Sequence, residues 1–171
     1  TLLQGEFMKI DGFWQIVDTS KKRGGGDIDA RASALKGALQ GLEWAEIQEF
    51  QNIYDALINK AYRWDLWAAA YIINGGCSDD GFRYFLDWLI SEGSQVYQNA
   101  IDDPDSLVEV EVVEDAEAEE FAYVALQVFE EKGFGEIVRD FTIETSMPKG
   151  EEWDEEQLSN LLPKLASKYD F

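Results

Sequence analysis

Residues 62–92, YRWDLWAAAYIINGGCSDDGFRYFLDWLISE, constrain the fold more than any other stretch of the chain. Trp64, Leu66, Trp67, Ala70, Tyr71 and Ile73 are apolar nearly all round a helical wheel. That is the pattern of a helix enclosed by others, not of one lying on a surface. Ala68, Ala69 and Ala70 are small enough to let a neighbouring helix come close. Asn74-Gly75-Gly76 is a helix stop, with one residue expected in the left-handed conformation that glycine tolerates. Ser78 is an N-cap for the next helix, and Asp79 and Asp80 in its first turn complement the positive end of the helix dipole. Phe82, Phe85, Leu86 and Leu89 then recur at helical spacing. The stretch specifies two helices joined by a tight turn, and the first needs further helices to cover it.

The rest of the chain supplies that cover. Asp11 is expected to cap a helix running to about Lys22, with Phe13, Trp14 and Val17 on one side. Arg23-Gly24-Gly25-Gly26 ends it. No Lys-Ser/Thr follows and no apolar strand precedes, so this run is expected to be a flexible connector and not a phosphate loop. Asp27 caps a second helix to about Leu39, ended by Gly41, and residues 43–61 carry Ile47, Phe50, Tyr54, Leu57, Ile58 and Ala61 on one face. Beyond the central pair come a short helix over 95–101 and the turn Asp102-Asp103-Pro104-Asp105-Ser106. Val108-Glu109-Val110-Glu111-Val112 alternates like an edge strand and equally suits an acidic loop. Phe121, Val124, Ala125, Val128 and Phe129 mark one amphipathic helix closed by Lys132-Gly133, while 134–146 fits neither helical nor strand period. Met147-Pro148-Lys149-Gly150 is a turn. Asp154 caps a last helix with Leu158, Leu161, Leu162 and Leu165 inward, kinked or shortened at Pro163. The expected fold is all-α, mostly a helical bundle, with room for a minor β-strand pair in the C-terminal third. Residues 1–7 read as an expression-tag remnant ahead of Met8, 8–132 as a helical core domain, and 133–171 as a C-terminal extension packed on it.

Charge narrows the partners. The chain of 171 residues has 14 Lys and Arg against 35 Asp and Glu, a net charge of −21. That sign opposes binding to nucleic-acid phosphates, which need cations to displace counterions, and to anionic membrane surfaces. It favours a basic protein partner, although acidity also serves solubility alone. With no histidine there is no imidazole base, no Ser-His or Cys-His pair and no His-ligated metal. A single cysteine, Cys77, excludes an intramolecular disulfide, and without a secretory pattern a reducing, cytoplasmic location is expected. No apolar run approaches the roughly 18 residues of a membrane span, and no cofactor or metal motif is present.

Three groups of polar residues are candidates for function. Arg63, Trp64, Asp65, Trp67, Asn74, Asp79 and Asp80, with Arg83 and Asp87 nearby, combine carboxylates and Trp rings, a setting that can raise a carboxyl pKa for acid–base work. The same residues also have local structural roles: an Arg63–Asp65 pair, a helix stop at Asn74, a dipole partner in Asp79 and Asp80. Cys77 lies just before a helix N-terminus, where a thiol is activated, but Asp79 and Asp80 oppose the thiolate. Residues 102–131 carry twelve acidic residues and no Lys or Arg, without the alternating ligands and central glycine of an EF-hand loop. Glu109, Glu111, Asp115 and Glu117 are its candidate acidic binding surface.

Tyr62 to Tyr71, Ile73 to Phe82, Phe85 and Asp87-Trp88-Leu89-Ile90 together resemble a bacterial family catalogued as domain of unknown function 4240. Phe13-Trp14, Asp103-Pro104-Asp105-Ser106-Leu107 and Glu120 to Tyr123 are also similar to it, so the resemblance spans about Met8 to Lys132. It brings no activity, substrate or catalytic residue. The sequence therefore supports a non-catalytic acidic binding protein, most concretely an immunity-type inhibitor of a basic toxin or nuclease. The competing expectation is an enzyme or small-molecule binder using Arg63, Asp65, Asp79 and Asp80.

Overall fold

The computed structural model describes residues 8–139 and 147–171. The helices are α1 (Ile10–Gly24), α2 (Ile28–Gln40), α3 (Trp44–Ala61), α4 (Trp64–Asn74), α5 (Asp79–Ser91), α6 (Ser94–Asp102), α7 (Glu119–Ala122), α8 (Val124–Glu131), α9 (Leu158–Leu161) and α10 (Pro163–Lys168). Short 3-10 helices cover Pro104–Glu109 and Glu155–Gln157. The fold is all-α. Among the described residues the sole β-type pairing is one parallel bridge between Arg63 and Lys149, so the strand pair allowed for by the Val/Glu alternation does not form there. Val108 lies in the 3-10 helix, and residues 110–118 are an irregular loop.

The central hairpin has the expected local chemistry. Gly75 ends α4 in the left-handed region at φ 68°, and the Gly81 N–H donates to the Ser78 hydroxyl at 3.1 Å to start α5. α5 is the hub of the bundle, packed against α1 to α4, α6 and α7. Phe82, Phe85, Leu86 and Leu89 are completely buried, as are Ala68, Ala69 and Ala70 of α4, whose lack of bulk admits the neighbours. Trp67 and Tyr71 are only half-buried, against expectation, because they face the C-terminal segment and one end of the hairpin. Trp67 still lies in an aromatic column, 5.2 Å from Trp64 and 5.0 Å from Phe82 with the rings nearly parallel.

Other expectations need correction. Asp11 is not a cap: α1 starts at Ile10 after Lys9, and Asp11 sits in the first turn, where its charge suits the dipole. The glycine run is no loose connector. A Cβ on Gly24 would fall 2.4 Å from the Arg31 backbone nitrogen, so glycine here lets α1 and α2 meet in a tight hairpin. Asp27 does cap α2, accepting the Ala30 N–H at 3.1 Å. The helix expected over 121–129 is two, α7 and α8, broken near Tyr123. Pro163 breaks the last helix as expected, standing at the first turn of α10, where a proline has no N–H to waste. Leu158, Leu162 and Leu165 are buried, whereas Leu161 is 53% exposed. Most of 134–146, and the expectation for residues 1–7, fall outside the described residues.

Candidate functional site

Two concavities are lined by five of the candidate residues, Glu111, Asp115 and Glu117 in one and Arg63 and Asp65 in the other. The first is a cleft of about 650 Å³ between the start of α2 and the loop 110–118. Its carboxylates come from Asp27 capping α2 and Asp29 in its first turn, Glu92 after α5, Glu111, Glu114, Asp115 and Glu117 on the loop, and Glu119 and Glu120 on α7. Glu109 lies in an adjoining hollow that shares Glu111 with the cleft. The tight α1–α2 turn brings Asp27 and Asp29 opposite the loop, a juxtaposition of residues about ninety positions apart that no local pattern announces.

The loop is held by few contacts. Asn74 accepts the Ala116 N–H at 2.9 Å and donates to the Ala116 carbonyl at 3.3 Å, and the Ala118 N–H donates to the Tyr84 carbonyl at 3.0 Å. Ala116 and Ala118 are fully buried, which turns Glu117 between them outward. Partial burial, then Asp115 and Glu119, raise the Glu117 carboxyl above its ordinary range. Asn74, a pocket candidate in the sequence, thus uses both ends of its amide as a clasp for the acidic loop. Asp79 and Asp80 are exposed on the first turn of α5.

Among the described residues the cleft wall carries one cation, Arg31, and it is already committed. Arg31, 4% exposed, donates through Nη1 to Glu92 at 2.9 Å and to the Ser91 hydroxyl at 3.2 Å, and through Nε to the Gly25 carbonyl at 2.6 Å. Lys21 completes the cluster, 3.0 Å from the other Glu92 oxygen. Asp27 accepts the Ala30 N–H and Glu119 the Tyr123 hydroxyl, but no cation among the described residues pairs with the outer carboxylates, so the cleft presents one sign of charge within concave walls, which concentrates cations.

The second concavity, about 360 Å³, lies between α4, the 3-10 helix at 104–109 and the C-terminal segment. Arg63 and Asp65 line it as a two-point pair at 2.9 and 2.6 Å, with Arg63 also donating to the Ile101 carbonyl at 3.0 Å. Lys149, Glu151 and Trp153 face them from the C-terminal segment. The structure therefore separates the four charged residues expected to act together: Arg63 and Asp65 share this cavity, Asp79 and Asp80 do not line it. Trp64 does not line it but packs edge-on to Trp153 at 6.1 Å, and the Trp67 N–H donates to the Cys77 carbonyl at 3.0 Å.

The remaining reactive groups are quiet. Burial, then Glu117 and Asp79, push the Cys77 thiol up to about 12, which keeps it protonated at neutral pH. Asp87 is 1% exposed, accepts the Tyr54 hydroxyl at 2.7 Å and has Arg83 at 3.6 Å. Burial pushes its carboxyl up to about 7, against the opposing pull of Arg83 and Tyr54. It lies inside the bundle, away from both concavities. Among the described residues no group of three acidic or cysteine side chains is placed to hold a metal ion, and no helix is long and apolar enough to cross a membrane.

These features define an all-helical, strongly acidic domain with a cleft of one charge sign and a separate small cavity of mixed sign. A family model described as protein of unknown function DUF4240 matches residues 8–131, and the chain belongs to that family. No curated protein and no solved structure matches the chain.

Proposed function

We propose that the protein is a non-catalytic binding protein that captures a basic protein partner in its acidic cleft. The most concrete form of that reading is an immunity-type inhibitor of a basic toxin or nuclease in the bacterial cytoplasm. One observation carries it: carboxylates from the start of α2, the end of α5 at Glu92, α7 and the loop converge on one cleft whose one cation among the described residues is tied to Glu92. Such a field raises association rates by orders of magnitude and matches the cation-rich surface of a protein that handles polyanions. The test is capture of a basic partner at low salt, release at high salt, and a series of association rates against ionic strength. A rate that falls steeply as salt rises supports the reading; a flat series removes it. A second reading, small-molecule binding at Arg63 and Asp65, draws support from the cavity they line with Trp153.

A further inference from the structure

The cavity between α4 and the C-terminal segment is built differently from the acidic cleft, and partner capture makes no use of it. At about 360 Å³ it is near the lower end of the range for small-molecule sites, which suits a ligand of amino-acid size. Its apolar side is made by Trp153, Leu161 and Leu162. The Trp153 N–H is taken by the Trp64 carbonyl at 2.6 Å, so what the indole offers a ligand is carbon surface.

The polar side is held firmly. Arg63 and Lys149 stand side by side because the parallel bridge pairs their backbones: the Trp64 N–H donates to the Lys149 carbonyl at 2.9 Å and the Lys149 N–H to the Tyr62 carbonyl at 3.0 Å. Three hydrogen bonds, two to Asp65 and one to Ile101, use three of the five N–H groups of Arg63. Lys149 gives one bond, to the Asn59 carbonyl at 2.6 Å. Each cation is positioned and, among the described residues, keeps donors to spare. Asp103 and Glu151 line the same cavity; one Asp103 oxygen accepts the Asp105 N–H at 3.0 Å and, among the described residues, the other is left for a ligand. A simple anion would meet those two like charges, and a simple amine would meet Arg63 and Lys149. A ligand carrying both signs meets neither penalty.

We propose that this cavity binds a small zwitterion with an apolar body, the chemical class of a free aromatic or branched apolar α-amino acid. Its carboxylate faces Arg63 and Lys149, its ammonium faces Asp103 and Glu151, and its side chain lies against Trp153. Lys149, Glu151, Trp153 and Leu161 fall beyond the matched residues 8–131, so the site belongs to the joint between the family domain and this chain's own extension. Ligand binding and docking of the segment stabilise each other by mass action.

The test is isothermal titration calorimetry on the full chain with L-tryptophan and L-leucine, alongside tryptamine and indole-3-propionate, which lack the carboxylate and the ammonium respectively. Saturable binding of at least one amino acid is expected, with each tryptophan analogue about tenfold weaker than L-tryptophan or worse. Leu161 is 53% exposed, so Leu161→Trp fills the cavity without emptying the core, and it is expected to abolish binding at a nearly unchanged Tm. Lys149→Ala is expected to weaken L-tryptophan and indole-3-propionate but not tryptamine. No heat from either amino acid at millimolar concentration overturns the proposal. So does equal affinity for an analogue, or unchanged binding by a folded Leu161→Trp chain. The acidic cleft is untouched by both substitutions, so partner capture and amino-acid binding can fail separately.

Discussion

The α4–α5 hairpin and the loop of residues 110–118 lie against each other and are built on opposite terms. In the hairpin, Leu66, Phe82, Phe85, Leu86 and Leu89 are all 0% exposed. In the loop, Glu111, Glu114, Asp115 and Glu117 are exposed, and Ala116 and Ala118 alone are buried. The first region sets the shape and the second carries the charge. A change in the hairpin is therefore felt as lost stability. A change in the loop is felt as an altered field on an unaltered scaffold. Four variants test that division, in falling order of expected effect on stability.

Phe82 is the largest. Its ring is 5.0 Å from Trp67 and 5.4 Å from Tyr62, and it has no exposed surface. Phe82→Ala removes the contact surface of both partners and leaves a cavity in the core, at a cost of about 3–5 kcal/mol. Denaturant unfolding measures it, and a loss below about 1 kcal/mol would show that the hairpin is not the keystone of the bundle.

Asp87 is the hairpin's exception, a buried carboxylate in an apolar region. Its carboxyl is raised to about 7 in the folded state from 3.8, chiefly by burial. Between those values the folded chain binds more protons than the unfolded one, so this group makes stability fall as pH rises from about 4 to 7. The penalty is absent below that window and complete above it, with an upper bound of about 4 kcal/mol. Asp87→Asn keeps an acceptor for Tyr54 and removes the titration. The stability of the variant relative to the parent is expected to grow between pH 5 and pH 8. A constant difference across that range would mean that Asp87 is not a titrating, buried group.

Asn74 joins the two regions. Asn74→Ala deletes both hydrogen bonds to Ala116 and leaves a partly buried peptide without partners, a cost of about 1–3 kcal/mol. Because the contacts lie at the loop, amide exchange should accelerate at Ala116 and Ala118 while α5 amides stay protected. Uniform acceleration in both would deny that the loop is a separable element.

Much of this division is legible in the sequence, and the part that is not has a physical reason. Period, stop and cap signals are local, so the helices, the left-handed glycine after Asn74 and the Ser78 cap follow from neighbours in the chain. The alternation over 108–112 misleads because a strand also requires an adjacent strand, and here the backbone carbonyls of Val108 and Val110 accept the Lys168 ammonium at 2.7 and 2.9 Å instead. Gly24 shows the same limit: three glycines suggest slack, but the need for glycine comes from Arg31 in the next helix. The site is legible as composition and not as geometry. Acidic residues stand out in 102–131, whereas their meeting with Asp27 and Asp29, and the pairing of Arg63 with Lys149, are tertiary.

The smallest effect on stability is expected where the effect on function is largest. Glu109, Glu111, Asp115 and Glu117 are exposed, and none of them is in a salt bridge among the described residues. Replacing them by Gln or Asn keeps the size of each side chain and removes four charges, so unfolding free energy should move by no more than about 0.5 kcal/mol. The direction is toward stabilisation, because partial burial and then repulsion from Asp115 and Glu119 already raise the Glu117 carboxyl. Association with a basic partner should slow by about tenfold at low salt, since the rate depends on the field and not on local contacts. The parent and variant should then converge as salt rises and the Debye length shrinks from about 8 Å at physiological strength toward about 3 Å at 1 M. A parent that associates no faster than the variant at low salt would break the assignment of field to loop and structure to hairpin. The cavity of Arg63, Lys149 and Trp153 would then be the surface on which the function of this chain has to be sought.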